Sequence, residues 1–297
     1  MVNVVTRVKN IYIRDAMNIY FKGDASIQQS IPNIEYLYQA CIHAQIQFLR
    51  YNILNKEIHF KTKEGIHLVT NKDFLVFVET FCFQNYGGFL DYLKEEKYVV
   101  FDIGANRGYT TLDFAKSDAC QHVFSFEPDL NTFAYMKKNL SYNPKLEQKI
   151  DAYAYGLSDK TQTLTFFQPN DGSDWTTTSN IEFGNSYWSD ERKNNVKKTE
   201  LEVRCASEEI KRIADSYQLG NIQKIMKIDI EGAEYEVLTD LEKNGVLESF
   251  SLIFGECHLG YEDIEKITKE HFDLIHLEKG PIKGLYNFIL LNKTQGA

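Results

Sequence analysis

Two glycines four residues apart, with an aspartate just before the first, mark the stretch of this chain best suited to holding a ligand. They are Asp102, Gly104 and Gly108, bracketing Ala105, Asn106 and Arg107 within YVVFDIGANRGYTTLDFAK, residues 98–116. Tyr98 to Phe101 are β-branched or aromatic, an apolar run suited to a strand covered on both faces. Thr110 to Lys116 carries helical spacing, so the glycines fall in a strand-to-helix turn. Glycine admits positive φ, and the first turn of a helix has N–H groups that the helix itself does not use. A turn at the carboxyl end of a parallel strand is where open α/β sheets take their ligands.

The spacing narrows the ligand. A dinucleotide fingerprint needs Gly-x-Gly-x-x-Gly, and Asn106 and Tyr109 stand where its second and third glycines belong. A P-loop closes on Gly-Lys-Ser/Thr, whereas Gly108 is followed by Tyr109 and Thr110. The remaining pattern, Asp-x-Gly-x-x-x-Gly, suits a ligand with a cationic amino-acid end and no pyrophosphate. S-adenosylmethionine is such a ligand. Glu127 ends a second apolar strand 23 residues beyond Gly104, where an acid can accept hydrogen bonds from both ribose hydroxyls. Pro128 stops that strand and fixes the direction in which the carboxylate leaves it.

Two further clusters carry charge in strand-like settings. In KIDIEGAE, alternation puts Lys227, Asp229 and Glu231 on one face if the strand stays regular to Glu231, with Glu234 beyond the glycine turn. Such charges are costly to bury unless they pair or face a cleft. A structural pairing suits Lys227, and a site role suits Asp229 at the strand's carboxyl end. In GECH, Glu256 and His258 are two residues apart and point the same way, and His258 is the histidine best placed to take a proton. Asp229, Glu231 and His258 are therefore the candidate catalytic bases, unranked among themselves. No His/Cys cluster accompanies Asp229 and Glu231 in the sequence, so no metal is expected.

These residues need a scaffold that brings strand ends together, and the rest of the chain supplies one. From Tyr98 onward strands and helices alternate: strands at 122–128, 151–158, 163–168, 199–205, 222–232 and 251–257, helices at 130–140, 207–217 and 234–243. Ser207 is the expected N-cap of the second of these helices. FDLIHLEK and YNFILLNK follow each other closely and suggest an antiparallel hairpin at the sheet edge. Upstream, the stripe of Ile34, Leu37, Tyr38, Cys41, Phe48 and Leu49 predicts a helix, and residues 57–70 read as a β-hairpin. Residues 73–83 look helical, and Gly87-Gly88 ends that helix before a short one leading to Lys97. The expected organisation is a helical N-terminal extension, residues 1–56, before an α/β domain, residues 57–297. Residues 169–198 are polar, hold Trp175 and Trp188, and read as a lid on the acceptor side.

Composition excludes several classes. The 297 residues are 43% hydrophobic, enough for a sizeable core. A net charge of −9 without a long basic run argues against a nucleic-acid surface. Five cysteines without a CxxC pair fit a reducing, cytoplasmic setting, and neither a signal peptide nor a membrane span is expected.

With these residues in hand, the chain resembles the FkbM family of S-adenosylmethionine-dependent methyltransferases. The resemblance rests on VVFDIGANRGYTT, FSFEPDLNTFAYMKKNLSYN, AYGLSD, KIDIEGAEYEVL and GECH, which cover most of residues 70–293 in order. The first 56 residues match nothing recognisable. The resemblance implies a class I methyltransferase fold, a Rossmann-like doubly wound sheet of seven strands closed by an antiparallel C-terminal hairpin. It places the methionine end of the cofactor at Asp102, Gly104, Ala105, Asn106 and Gly108, with Asp229 beside it. Glu127 would hold the ribose, and Gly156, Leu157 and Asp159 would line the adenine. Ala206-Ser207-Glu208 departs from the T-L-D segment common in related proteins, and the insertion around the tryptophans is individual. The leading reaction is methyl transfer to a hydroxyl of a glycan, nucleotide-sugar or small metabolite. The alternatives are an amine acceptor, or a cofactor-binding regulatory protein without turnover. A dehydrogenase is disfavoured by the missing glycines. The oligomeric state is left open.

Overall fold

The computed structural model describes residues 15–83, 92, 97–170, 177–180, 184, 188–281 and 283–295. They fold as two compact units, residues 1–85 with 141–143, and residues 86–140 with 144–297. The expected short helix before Lys97 and the Gly87-Gly88 break lie outside the described residues.

In the first unit, helices Ala25–Ser30 and Ile34–His43 accompany a three-stranded antiparallel sheet. Asp24 caps the first helix by accepting from Ser26 N at 3.0 Å. The strands are β1 (Gln47–Asn52), β2 (Glu57–Lys61) and β3 (His67–Thr70). The hairpin expected at 57–70 is β2–β3, with Ile58 opposite Thr70. The helix expected to run through Leu49 instead stops at His43. Gln45 takes φ 57°, the chain turns, and Phe48 and Leu49 enter β1. The buried rings Phe21, Phe48, Phe60 and Phe77 form the core here. Phe48 meets the helical stripe only by its spacing from Cys41, and its burial comes from the sheet. β1 pairs with β2 across residue 56, so the expected helical extension 1–56 contains a strand whose partner lies beyond it.

The second unit is built on β4 (Tyr98–Ile103), β5 (Cys120–Phe126), β6 (Ile150–Tyr153), β7 (Gly156–Ser158), β8 (Gln162–Pro169), β9 (Val196–Cys205), β10 (Gln223–Ile228), β11 (Leu252–Cys257), β12 (Phe272–Lys279) and β13 (Tyr286–Asn292). Seven of these form one sheet in the order β12-β13-β11-β10-β4-β5-β6. The five strands from β11 to β6 pair in parallel, and β13 is antiparallel to both neighbours. This is the doubly wound class I methyltransferase sheet, closed by its C-terminal hairpin. All six residues of β4 are buried, as a central strand covered on both faces requires. Phe101, Phe124 and Phe250 lock the sheet to the chain above it, with ring centroids 5.0 and 5.5 Å apart.

Two expectations change. The strand expected over 151–158 is two strands: β6 extends the large sheet, whereas β7 pairs with β9 in a small sheet ordered β7-β9-β8. The break falls at Ala154 and Tyr155, where the Tyr155 hydroxyl leaves to donate to Glu209 at 2.8 Å. Ser207 is not a helix cap: the helix runs Ala206–Ser216, and its Ser207 N–H is satisfied by Asp240 Oδ2 at 2.7 Å. All five cysteines are buried free thiols. Among the described residues no helix is long and apolar enough to cross a membrane.

Candidate active site

The sequence-predicted site residues gather at the carboxyl ends of β4, β5, β10 and β11. The turn after β4 is strapped to β5, because Gly104 N and Ala105 N both donate to Phe126 O, at 3.1 and 2.9 Å. Gly104 sits at φ 81°, and a Cβ there would lie 2.0 Å from the Asp229 carbonyl oxygen. Gly108, at φ 75°, would drive a Cβ to 2.8 Å from Met136 Cγ. Both glycines are thus required by protein packing, β10 on one side and the following helix on the other. Asn106 also takes positive φ, 49°, and its side chain accepts from Arg107 N at 2.8 Å.

Glu127 is buried at the end of β5 and is held from both sides. Its Oε2 accepts from Asn106 N at 3.0 Å and its Oε1 from Asp129 N at 2.8 Å. The acid thus ties the glycine turn to its own strand end, and each oxygen retains a further lone pair. Asp102, expected to touch the ligand, is fully buried instead. Its Oδ2 accepts from the hydroxyls of Thr110 and Thr111 at 2.8 and 2.6 Å, which fixes the start of the helix. Lys227 takes the structural part foreseen for it. Its Nζ donates to Gly104 O at 2.7 Å and lies 3.7 Å from both Asp102 Oδ1 and Asp229 Oδ2.

The third group is a buried histidine among carboxylates. β10 ends at Ile228, so strand alternation does not carry Glu231 into the site as expected. Glu231 reaches it through a turn, at φ 55°. The Thr178 hydroxyl, from the 169–198 segment, donates to the Glu231 carbonyl at 2.6 Å and holds that turn. His258 Nδ1 lies 2.8 Å from Glu234 Oε1. His258 Nε2 lies 3.7 Å from Glu231 Oε2 and 3.8 Å from both Asp229 Oδ1 and Glu256 Oε2. Burial works against charge on the ring, but Glu234, Glu231 and Asp229 outweigh it and raise the His258 pKa to about 10. Withdrawal from water, then repulsion from Asp229 and Glu256 set against the pull of His258, pushes Glu231 up to about 8. His258 therefore keeps its proton at neutral pH in this arrangement. Sequence reasoning saw Glu234 but not its partnership with His258, since the two are 24 residues apart.

The residues assigned to adenine lie in the small sheet. Gly156 and Leu157 are buried in β7, and Asp159 is exposed just after it. A Cβ at Gly156 would come 3.4 Å from Pro128 Cγ, so β7 passes directly beside the strand end that carries Glu127. In the 169–198 segment, Trp175 lies outside the described residues. Trp188 is 3% exposed and packs over Gly184, so it does not offer an aromatic face to a ligand.

The signature of the Methyltransferase FkbM domain matches residues 102–280, which includes every site residue above. The chain belongs to the FkbM methyltransferase family. A curated relative, Methyltransferase 1 of Beauveria bassiana (strain ARSEF 2860), is 24% identical over 151 residues, covering 50% of this chain and 59% of its own length. The alignment thus spans little more than half of that relative. Among solved structures, the methyltransferase FkbM from Methylobacillus flagellatus KT is 12% identical with a TM-score of 0.42, over 66% of this chain and 44% of its own. M. jannaschii TYW2 in complex with AdoMet is 12% identical with a TM-score of 0.43, over 79% and 84% of the two chains.

Proposed function

We propose that this FkbM-family methyltransferase moves a methyl group from S-adenosylmethionine to a hydroxyl of a small polar acceptor, a glycan, nucleotide-sugar or metabolite. The carrying observation is the juxtaposition at one sheet edge of a fixed ribose-type acid and a carboxylate-lined pocket. Glu127 is anchored by Asn106 N and Asp129 N with lone pairs to spare, and Asp229, which backs the glycine turn, also lines the pocket around His258. The chain fits the donor on this evidence. Glu127 would take the ribose hydroxyls, the turn at residues 104–108 would carry the amino-acid end, and β7 beside Pro128 would flank the base. When bound, the donor supplies an electrophilic methyl group on a positively charged sulfur.

The protein's work is then positional and acid–base. The acceptor oxygen must be held in line with the methyl group, and proximity of this kind supplies much of the rate. As the O–CH3 bond forms and the S–CH3 bond breaks, the hydroxyl proton passes to the Asp229, Glu231 and Glu256 cluster. Glu234, buried behind His258, keeps the imidazole oriented through that step. One observation favours a second reading: a pocket this acidic also suits a cationic amine acceptor, which needs less help from a base.

The test is a product assay with methyl-labelled S-adenosylmethionine across sugars, nucleotide-sugars and amines. Transfer to a polyol, lost on chemical blocking of one hydroxyl, is the expected result. Label only on nitrogen would move the reading to amine methylation. Calorimetry showing S-adenosylhomocysteine binding with no turnover on any acceptor class would favour a regulatory role.

A further inference from the structure

The cluster around His258 is built from unlike parts that converge on one point. Asp229 comes from the end of β10, Glu231 from the turn after it, and Glu256 and His258 from the end of β11. The Asp229, Glu231 and His258 donor atoms all lie within 4.8 Å of one another. The carboxylate oxygens of Asp229, Glu231 and Glu256 stand at nearly equal distances, 3.7–3.8 Å, from Nε2. A proton shared with one carboxylate would draw that oxygen to roughly 2.8 Å. Ligands of an octahedral cation with bonds of about 2.1 Å are roughly 3.0 Å apart when adjacent and 4.2 Å when opposite. The observed separations fall between these two values.

A second observation lies behind the ring. Glu234 is fully buried, and its Oε1 accepts from Ile230 N and Gly232 N at 3.0 and 3.2 Å while facing His258 Nδ1. Its Oε2 has no hydrogen-bond partner among the described residues. A buried carboxylate so incompletely satisfied is expensive unless positive charge lies against it. An ionised Glu234 can only accept, so Nδ1 carries the hydrogen and the Nε2 lone pair turns toward the three acids. A carboxylate behind a ligating imidazole is the arrangement that orients histidine on metals.

We propose that Asp229, Glu231, Glu256 and His258 form a binding site for one hard divalent cation of the Mg2+ or Mn2+ type, with Glu234 as its positioning residue. Three carboxylates with one imidazole select such ions over those preferring sulfur or several imidazoles. The histidine that the sequence lacked beside Asp229 and Glu231 is supplied by the neighbouring strand. The cation would sit at the carboxyl edge beside the glycine turn, where it can draw an acceptor's oxygen into place. This inference rests on the cluster alone, and its test uses neither methyl donor nor acceptor.

The experiment titrates the full chain with MnCl2, following free Mn2+ by electron paramagnetic resonance. One Mn2+ per chain is expected, displaced by Mg2+. Pulsed measurements should show 14N coupling from the coordinated imidazole. Glu231→Gln and Glu256→Gln should each weaken binding by about tenfold or more. Both side chains keep roughly a fifth of their surface exposed, 22% and 23%, so melting curves should remain near wild type. Glu234→Gln should weaken both binding and the 14N coupling, which a purely structural effect would not do selectively. Absence of Mn2+ binding at millimolar concentration would overturn the site. So would binding without 14N coupling in the wild-type chain, which needs no variant to fold.

Discussion

Glu127 combines two jobs that one substitution removes together. The sequence presents it as a strand-end acid free to serve a ribose, and on that view replacement would spare the fold. The structure adds two backbone N–H groups, from Asn106 and Asp129, that end on its carboxylate. Glu127→Ala is therefore expected to weaken S-adenosylhomocysteine binding and also to cost about 1–3 kcal/mol of stability, through donors left unsatisfied under cover. Calorimetry and urea denaturation measure the two effects. A variant with full stability and reduced affinity would mean that those N–H groups find water. Asp102 and Lys227 teach the same lesson from the other side. Their types mark the site, yet both are spent on holding the glycine turn, Asp102 through Thr110 and Thr111 and Lys227 through Gly104 O.

At the scale of elements, most of the sheet is legible because its strands are buried apolar runs separated by helices with clear spacing. The helix Glu234–Lys243 falls where the sequence puts it, and so does the final hairpin. The misreadings are places where local pattern meets a tertiary constraint. β10 stops at Ile228 because the Gly104 turn packs against the Asp229 carbonyl, and no periodicity announces that contact. The strand expected over 151–158 splits because Tyr155 leaves to meet Glu209 on a helix more than fifty residues away. The His258–Glu234 pairing is hidden for the same reason: it needs β11 and the helix after β10 to be neighbours. The Gly104 contact is directly testable. Gly104→Ala combines an unfavourable φ of 81° with a backbone oxygen 2.0 Å from the new Cβ. Gly23→Ala meets only the unfavourable φ, 74°, with nothing within 4 Å. The first should cost about 3 kcal/mol or more and the second about 1–2 kcal/mol, read from denaturation midpoints. Equal costs would mean that the turn can move off β10 freely.

At the scale of the whole chain, the two compact units divide near residue 85, whereas the sequence suggests a division at 56. The sequence shows a hairpin at 57–70 and a helical stripe before it, and nothing local reveals that β1 completes the hairpin's sheet. The pairing of Gln47–Asn52 with Glu57–Lys61 makes residue 56 part of a turn inside one sheet. A chain beginning at residue 57 would expose the edge of β2 along its whole length. It would also strip Phe60 of Phe48, whose ring centroid lies 6.1 Å away, and remove Phe21, which packs on Phe48 at 5.1 Å. Unpaired strand edges and newly bared aromatic rings both promote association between chains. The shortened protein, residues 57–297, is expected to melt lower than the full chain and to elute as aggregates in size-exclusion chromatography. A chain beginning at residue 86 removes the small sheet entire. Its cost within that unit is the pair of hydrogen bonds between Asn143 and the backbone of His67, at 2.8 and 2.7 Å. It should therefore be the better behaved of the two despite being shorter. If the chain from 57 is monomeric and melts with the full protein, the aromatic core around Phe60 does not need β1, and the first 56 residues are an appendage after all.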